Sequence, residues 1–463
     1  MPGCVVPVSQ FWQSNPTTHN SEPRIGFSYS PNRNGNTAVR GGFGIYDMLP
    51  LPYIYATYAA ISAPYSQDEI AVGVPQGSFP DKVAAIAARF APFRLGHYIE
   101  PHPKRTYSLN YNVNVEQQLS KTLSAMVGYV GSHTLHTPFQ AQDMNQVSPS
   151  NTQVIDGRRI LPASGAIQQD ANGFIIFGLR FDGAAQYNSL LTQLKVRNYH
   201  GLTAQGAYTW NQCTDFGSST QSPSTYQNSI ASLIYYDNVQ RKGMCDFNVT
   251  QNFSANAIYQ LPSPANGWMK TLAAGWQVAG ILTASTGVPF TLLQAGDVLG
   301  QHGTSFGAFP DVVANCNPIN GNFKGNGLNY INPDCFVFPT VGAGSAIAPL
   351  CNQGGTTPAG GQVLCLNVQG NERRNQLIGP RLVNVDFSLI KNIRLSRISE
   401  SFNLQLRVEA FNVFNHTNFQ APTNNYTFGG RLGFNQESPG TAGLLDSTAT
   451  PSRQVQLGAK VIF

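Results

Sequence analysis

The sequence predicts an all-β chain: an antiparallel up-and-down transmembrane β-barrel of about 11 strands, with long external loops and short periplasmic turns. Three observations predict it. Runs of strict two-residue alternation recur along the chain, each with one apolar and one polar face. The links between these runs alternate short and long without exception. Charged residues make up only 11% of the chain, where ordinary soluble proteins carry roughly 25%. A soluble surface needs charge, and a lipid-facing surface excludes it.

The first elements are a hairpin. Residues 24–29 and 37–46 are strand-like, and the link 31–36 is rich in Pro, Asn and Gly. A long irregular segment, 49–106, follows, with one short helical pattern at 83–93. Tyr107, Leu109, Tyr111, Val113 and Val115 then alternate with polar residues. The turn 120–122 leads to Leu123, Ala125, Val127 and Tyr129. After a long polar stretch, 133–186, the run Leu190, Thr192, Leu194, Val196 turns at 199–201. It returns as Leu202, Ala204, Gly206, Tyr208, Trp210. Beyond the loop 213–246, Phe253, Ala255, Ala257 and Tyr259 pass through the link 262–274. The return run is Trp276, Val278, Gly280, Leu282, Ala284. The longest loop, 294–380, precedes the last three runs.

Those last runs alternate most cleanly. Val383, Val385, Phe387 and Leu389 oppose Asn384, Asp386 and Ser388. Phe402, Leu404, Leu406, Val408 and Ala410 oppose Asn403, Gln405, Arg407 and Glu409. Val455, Leu457, Ala459, Val461 and Phe463 oppose Gln454, Gln456 and Lys460. Their links are 396–400 and 416–452. Such an apolar face either packs on a second sheet, as in a soluble sandwich, or faces lipid. The loop rhythm decides between them: every long connection falls at one end, as in an outer-membrane barrel. Tyr107, Tyr129, Trp210, Tyr259, Trp276 and Phe463 lie near strand ends on the apolar parity, where interfacial girdles sit.

Composition excludes other classes. No apolar run approaches the roughly 20 residues of a membrane helix, and mean hydropathy is −0.17. Net charge is +5 with no basic block, so nucleic acid is not an expected partner. The N-terminus has no basic and apolar leader, so a signal peptide is expected to be missing from this chain.

No catalytic, cofactor or metal signature is present: no HExxH, GxSxG, P-loop or dinucleotide fingerprint. His133 and His136 are the one close histidine pair, read as solvated loop residues. Of seven cysteines, six lie in or beside the long loops. Cys213 and Cys245 flank one loop and are expected to pair. Cys316, Cys335, Cys351 and Cys365 share the longest loop and allow three connectivities. The nearest-neighbour choice is Cys316–Cys335 with Cys351–Cys365. Asp386, Arg407 and Glu409 fall on the wet parity. They read as a solvated lumen wall with inter-strand ion pairs, or as contacts to an internal plug or a passing ligand.

Several stretches carry a family likeness. They are residues 379–387 (GPRLVNVDF), 406–419 (LRVEAFNVFNHTNF), 40–46 (RGGFGIY), 127–132 (VGYVGS), 208–210 (YTW), 275–280 (GWQVAG), 286–291 (TGVPFT) and 453–463 (RQVQLGAKVIF). In this order they resemble the barrel of TonB-dependent receptors, closest to the Oar-like subgroup. The resemblance implies a barrel of roughly 22 strands with a plug and a TonB-contacting box. Residues 1–463 would then be the C-terminal part of the barrel domain, with plug and signal peptide absent. It implies outer-membrane lipid, the barrel-assembly machinery, TonB and an unidentified ligand as partners, with Phe463 as the assembly signal. Ligand capture by the loops and energised uptake are the expected function. A non-transporting envelope or adhesion protein on the same barrel and a soluble all-β binding module are the alternatives.

Overall fold

A computed structural model describes residues 12–49, 93–141, 149–162, 175–218, 234–263, 273–294, 308–325, 327–351, 361–394, 403–422 and 442–463, with positions 52, 56, 58, 69, 70, 144, 147 and 299. Eleven strands follow one another in a single sheet: β1 (Arg24–Tyr29), β2 (Thr37–Asp47), β3 (Tyr107–Gln118), β4 (Leu123–Ala141), β5 (Ile175–Tyr199), β6 (Leu202–Asp215), β7 (Gln251–Gln260), β8 (Trp276–Ser285), β9 (Leu382–Arg394), β10 (Asn403–Phe411) and β11 (Gln454–Ile462). Each pairs antiparallel with the next in sequence. The barrel is not closed: the outer edges of β1 and β11 have no partner strand among the described residues. No helix among those residues is long and apolar enough to cross a membrane.

Register turns the sequence alternation into two faces. One row runs Val115, Val127, Thr192, Tyr208, Phe253, Ala284, Val383 across seven strands. The adjacent row, on the other face, runs Glu116, Met126, Gln193, Ala207, Ser254, Thr283, Asn384. Among the described residues no second sheet covers the apolar rows, which leave Val127 52%, Trp210 56% and Leu457 77% exposed. A soluble sandwich would bury them. β7 and β8 have 10 residues each. At ~3.3 Å per residue and a tilt near 40° they span about 25 Å, the height of an outer-membrane apolar band.

Among the described residues short links close the lower end at 31–36, 120–122 and 200–201, while the expected link 396–400 and most of 262–274 lie outside them. Tyr199 pairs with Leu202, leaving His200 and Gly201 as the β5–β6 turn. Their φ values, 50° and 84°, are the positive pair that a tight type I′ hairpin requires. Within the wall, the Tyr111 ring lies over its cross-strand partner Gly131, where any Cβ would collide with it. Lys391 falls on the lipid parity opposite Trp276 and Leu406. It sits beside the lower turn, donates to the Ala274 carbonyl at 2.5 Å and stacks 5.1 Å over the Trp276 ring. Lys391 is buried, and the carbonyl and the ring together hold its charge.

Three expectations need correction. The stretch 133–186 is not all loop: β4 continues to Ala141 and β5 begins at Ile175. These extensions rise above the lipid band, so lipid no longer imposes alternation, and β4 shifts register between Leu135 and Phe139. His133 and His136 consequently lie on β4, and the His136 ring Nδ1 meets the Arg105 carbonyl at 2.9 Å. The sheet also holds one parallel pairing, Leu95–Ile99 beside Ile175–Leu179. The helical pattern at 83–93 lies outside the described residues except for Phe93, which opens the strand Phe93–Ile99.

Candidate functional site

The long loops do not hang separately from the wall. Their described residues fold into a cap with its own apolar cores. Phe290, Leu292, Tyr330, Ile331, Phe336, Leu377 and Leu445 form one. Ile160, Val341, Ile347, Val363 and Val368 form another. Phe290 and Phe309 are fully buried, while apolar side chains of the same kinds on the wall stay exposed. Here the solvent is water, so the apolar residues turn inward.

A polar spine, residues 367–376, joins the cap. Arg374 donates from Nε to the Arg241 carbonyl (2.9 Å), from Nη1 to Asp246 (3.0 Å) and from Nη2 to Asp215. Asn375 donates to Asp246 and to the Met244 carbonyl, both at 2.7 Å, and its own N–H donates to the Thr291 hydroxyl. Asp311 accepts from Arg158 (2.6 Å), from the Asn371 N–H (2.8 Å) and from the Thr340 N–H (3.0 Å). Asn367 donates to the carbonyls of Leu161 and Leu350. One ten-residue segment therefore ties the top of β6 to loop residues 161, 241–246, 291, 311 and 350. Arg374 is buried and paired with two carboxylates, which is the condition for keeping its charge out of water, while Arg373 beside it is exposed.

Beside the spine, Arg241 is fully buried, with its guanidinium 3.7 Å over the Phe139 ring and 3.4 Å from Asp182. Burial lowers its pKa and the Asp182 carboxylate opposes that. Arg159 binds Asp237 at 2.6 Å, and Asp237 caps the turn that carries Arg241. Glu372 is fully buried and accepts the Leu292 N–H at 3.0 Å. Burial pushes its carboxyl well above the ordinary carboxylate range, and the Leu292 hydrogen bond opposes that shift.

The six loop cysteines form three disulfides: Cys213–Cys245, Cys316–Cys335 and Cys351–Cys365. They close segments of 32, 19 and 14 residues. In chain-entropy terms each contributes about 3–4 kcal/mol. Asp386 accepts the Asn412 N–H and the Asn384 amide, both at 2.9 Å, and so fastens the start of the last loop to β9. Arg407 donates to Gln405 at 2.6 Å. Glu409 stands opposite Ser388 and Gln456. None of these three is in an ion pair among the described residues, unlike Arg40 and Glu116 (2.7 Å) farther along the same face. Phe463 follows β11 at the short-turn end and is 90% exposed. Among the described residues no cluster of His, Cys, Asp and Glu could hold a metal. Sequence reading missed the spine. Its signal was the charge density of 371–374 (NERR) in a charge-poor chain.

Residues 6–456 match the family described as outer membrane beta barrel domain. No curated protein matches the chain in sequence. Solved structures similar to it include the outer membrane transporter YddB from Escherichia coli. That similarity has 10% identity and a TM-score of 0.45, covering 96% of this chain and 41% of that one. The FrpB iron transporter from Neisseria meningitidis is similar at 12% identity and a TM-score of 0.39, covering 95% and 39%. The siderophore receptor PiuA from Acinetobacter baumannii is similar at 11% identity and a TM-score of 0.40, covering 95% and 35%. The chain thus spans about two fifths of the YddB structure's length. A membrane-height wall with an uncovered apolar face and a family match over nearly its whole length give one conclusion: the chain belongs to the outer membrane beta barrel domain family and resides in the outer membrane.

Proposed function

We propose that the chain is the C-terminal part of the barrel of a TonB-dependent receptor of the Oar-like kind. Its external loops capture a ligand for energised uptake by the full-length protein. The observation that carries this reading is the cap: described residues of the long connections 133–186, 213–246 and 294–380 meet on a shared polar spine, and three disulfides brace the loops. A wall serving only as an anchor needs no such preorganised surface. The open edges of β1 and β11 support the barrel assignment, because lipid cannot satisfy unpaired backbone groups. Further strands of a larger wall would satisfy them. The lumen-facing role of Asp386, Arg407 and Glu409 and the assembly role of Phe463 belong to the same proposal.

The test is accumulation of a ligand by cells producing the full-length gene product, with and without TonB. Uptake that stops when TonB is removed is the expected result. Accumulation that continues without TonB, or surface binding with no accumulation, overturns energised import. Surface binding alone would leave the envelope or adhesion role on the same barrel.

A further inference from the structure

Where the wall meets the cap, a cavity of about 580 Å³ opens between the ends of β8 and β9 and the loop segments 319–330 and 416–419. Three aromatic rings line it. The Tyr330 hydroxyl donates to the Ile378 carbonyl at 2.9 Å. Phe323 meets Tyr330 edge-on at 5.3 Å and Phe419 at 6.1 Å. The Cys316–Cys335 disulfide closes the segment that carries Phe323 and Tyr330, so the ring positions are set before anything binds. Two cations line the same cavity, Arg381 and Lys324. Both are exposed, and neither has a carboxylate partner among the described residues. Elsewhere in the cap Arg158, Arg159, Arg241 and Arg374 are paired with carboxylates, and Arg373 is exposed without one among the described residues. Asn322 adds an exposed amide to the lining.

We infer that this cavity binds an acidic saccharide, a sugar ring carrying a carboxylate or phosphate. Aromatic faces and edges take the apolar C–H surfaces of a pyranose ring. The Arg381 fork matches the two oxygens of a carboxylate or phosphate, and Lys324 adds a second charge. The Asn322 amide can both donate to and accept from ring hydroxyls. Two sources supply this chemistry: a free uronate chain outside the cell, or the phosphorylated sugar of an outer-leaflet lipid. The inference rests on the reading of the long loops as outward-facing.

The experiment titrates tetragalacturonate into the full-length gene product reconstituted in phosphatidylcholine vesicles. Maltotetraose and benzoate serve as controls. In a parallel arm the vesicles contain lipid A with or without its phosphates. Saturable binding of tetragalacturonate, or of phosphorylated lipid A alone, is expected and identifies the source. Arg381→Gln should weaken it about tenfold or more, the scale of a charge-assisted pair, and Lys324→Gln by less. Both side chains are exposed, so the variants keep the fold, which circular dichroism checks. Absence of binding in both arms overturns the inference. So does equal binding of maltotetraose or benzoate, or binding indifferent to Arg381→Gln. Protease added to intact cells separately tests whether residues 286–381 are outside. A protected loop sinks the outward-facing reading whatever the vesicle titration gives.

Discussion

The wall and the cap are built from one composition by opposite rules. On the wall, apolar side chains point outward and stay uncovered, and backbone ladders between sequence neighbours supply the cohesion. In the cap, apolar side chains point inward, regular pairing is reduced to two- and three-residue bridges, and side chains distant in sequence hold the structure. The difference teaches which solvent each part meets. In lipid no backbone group can remain unpaired, so only the ladder survives. In water the loops must make a hydrophobic core, and the segments that cannot supply ladders use buried ion pairs and disulfides instead.

The sharpest way to break this contrast is to cut the spine. Arg374→Ala leaves Asp215 and Asp246 buried without their cation, at a cost of about 3–5 kcal/mol. The loss should appear as protease sensitivity of residues 286–381, while the heat-modifiable electrophoretic migration typical of an intact wall stays as it was. If both fail together, wall and cap are one cooperative unit. Next in size is parity on the wall. Ala255 and Ser254 are adjacent on β7 and face opposite ways. Ala255→Arg should cost about 2–4 kcal/mol, the price of a cation in the apolar band, and Ser254→Arg close to nothing. Refolding yield of the full-length gene product in vesicles against urea measures both, and equal costs would remove the lipid assignment of that face.

The smallest effect belongs to Glu372. Its folded pKa is raised by burial. A raised carboxyl contributes fully to cap stability below the unfolded value of about 4.3. That contribution falls away as pH climbs through the raised folded pKa. Glu372→Gln keeps an oxygen for the Leu292 N–H and cannot ionise. Cap stability in wild type should therefore decline relative to Glu372→Gln as pH rises above that unfolded value. Loop proteolysis rates across that range, compared between the two proteins, check the sign.

The wall was legible because its rules are local. Tyr107 to Val115 and Val455 to Val461 alternate at the period of the strand itself, and the His200-Gly201 turn announces its own geometry. Legibility ended where lipid ends. Above the band, β4 bulges around His136 and its residues answer to the cap, so the local pattern dissolves and reads as loop. The spine was illegible for a related reason. Arg374 meets Asp215 across 159 positions, and Arg158 meets Asp311 across 153. No periodicity records a contact of that separation.

By itself, then, the sequence determined which residues face lipid and which face water along each strand, and at which end the long connections lie. A two-residue repeat fixes which side chains share a face, and the alternation of short and long links fixes which face meets lipid and which end carries the loops. Only the tertiary structure decided that those connections fold into one cap, that Asp386 anchors a loop instead of forming an ion pair, and that Arg381 and Lys324 are left together beside three rings. Those outcomes depend on charges brought together from distant segments, and burial allows a charge to persist only where its partner has already been placed.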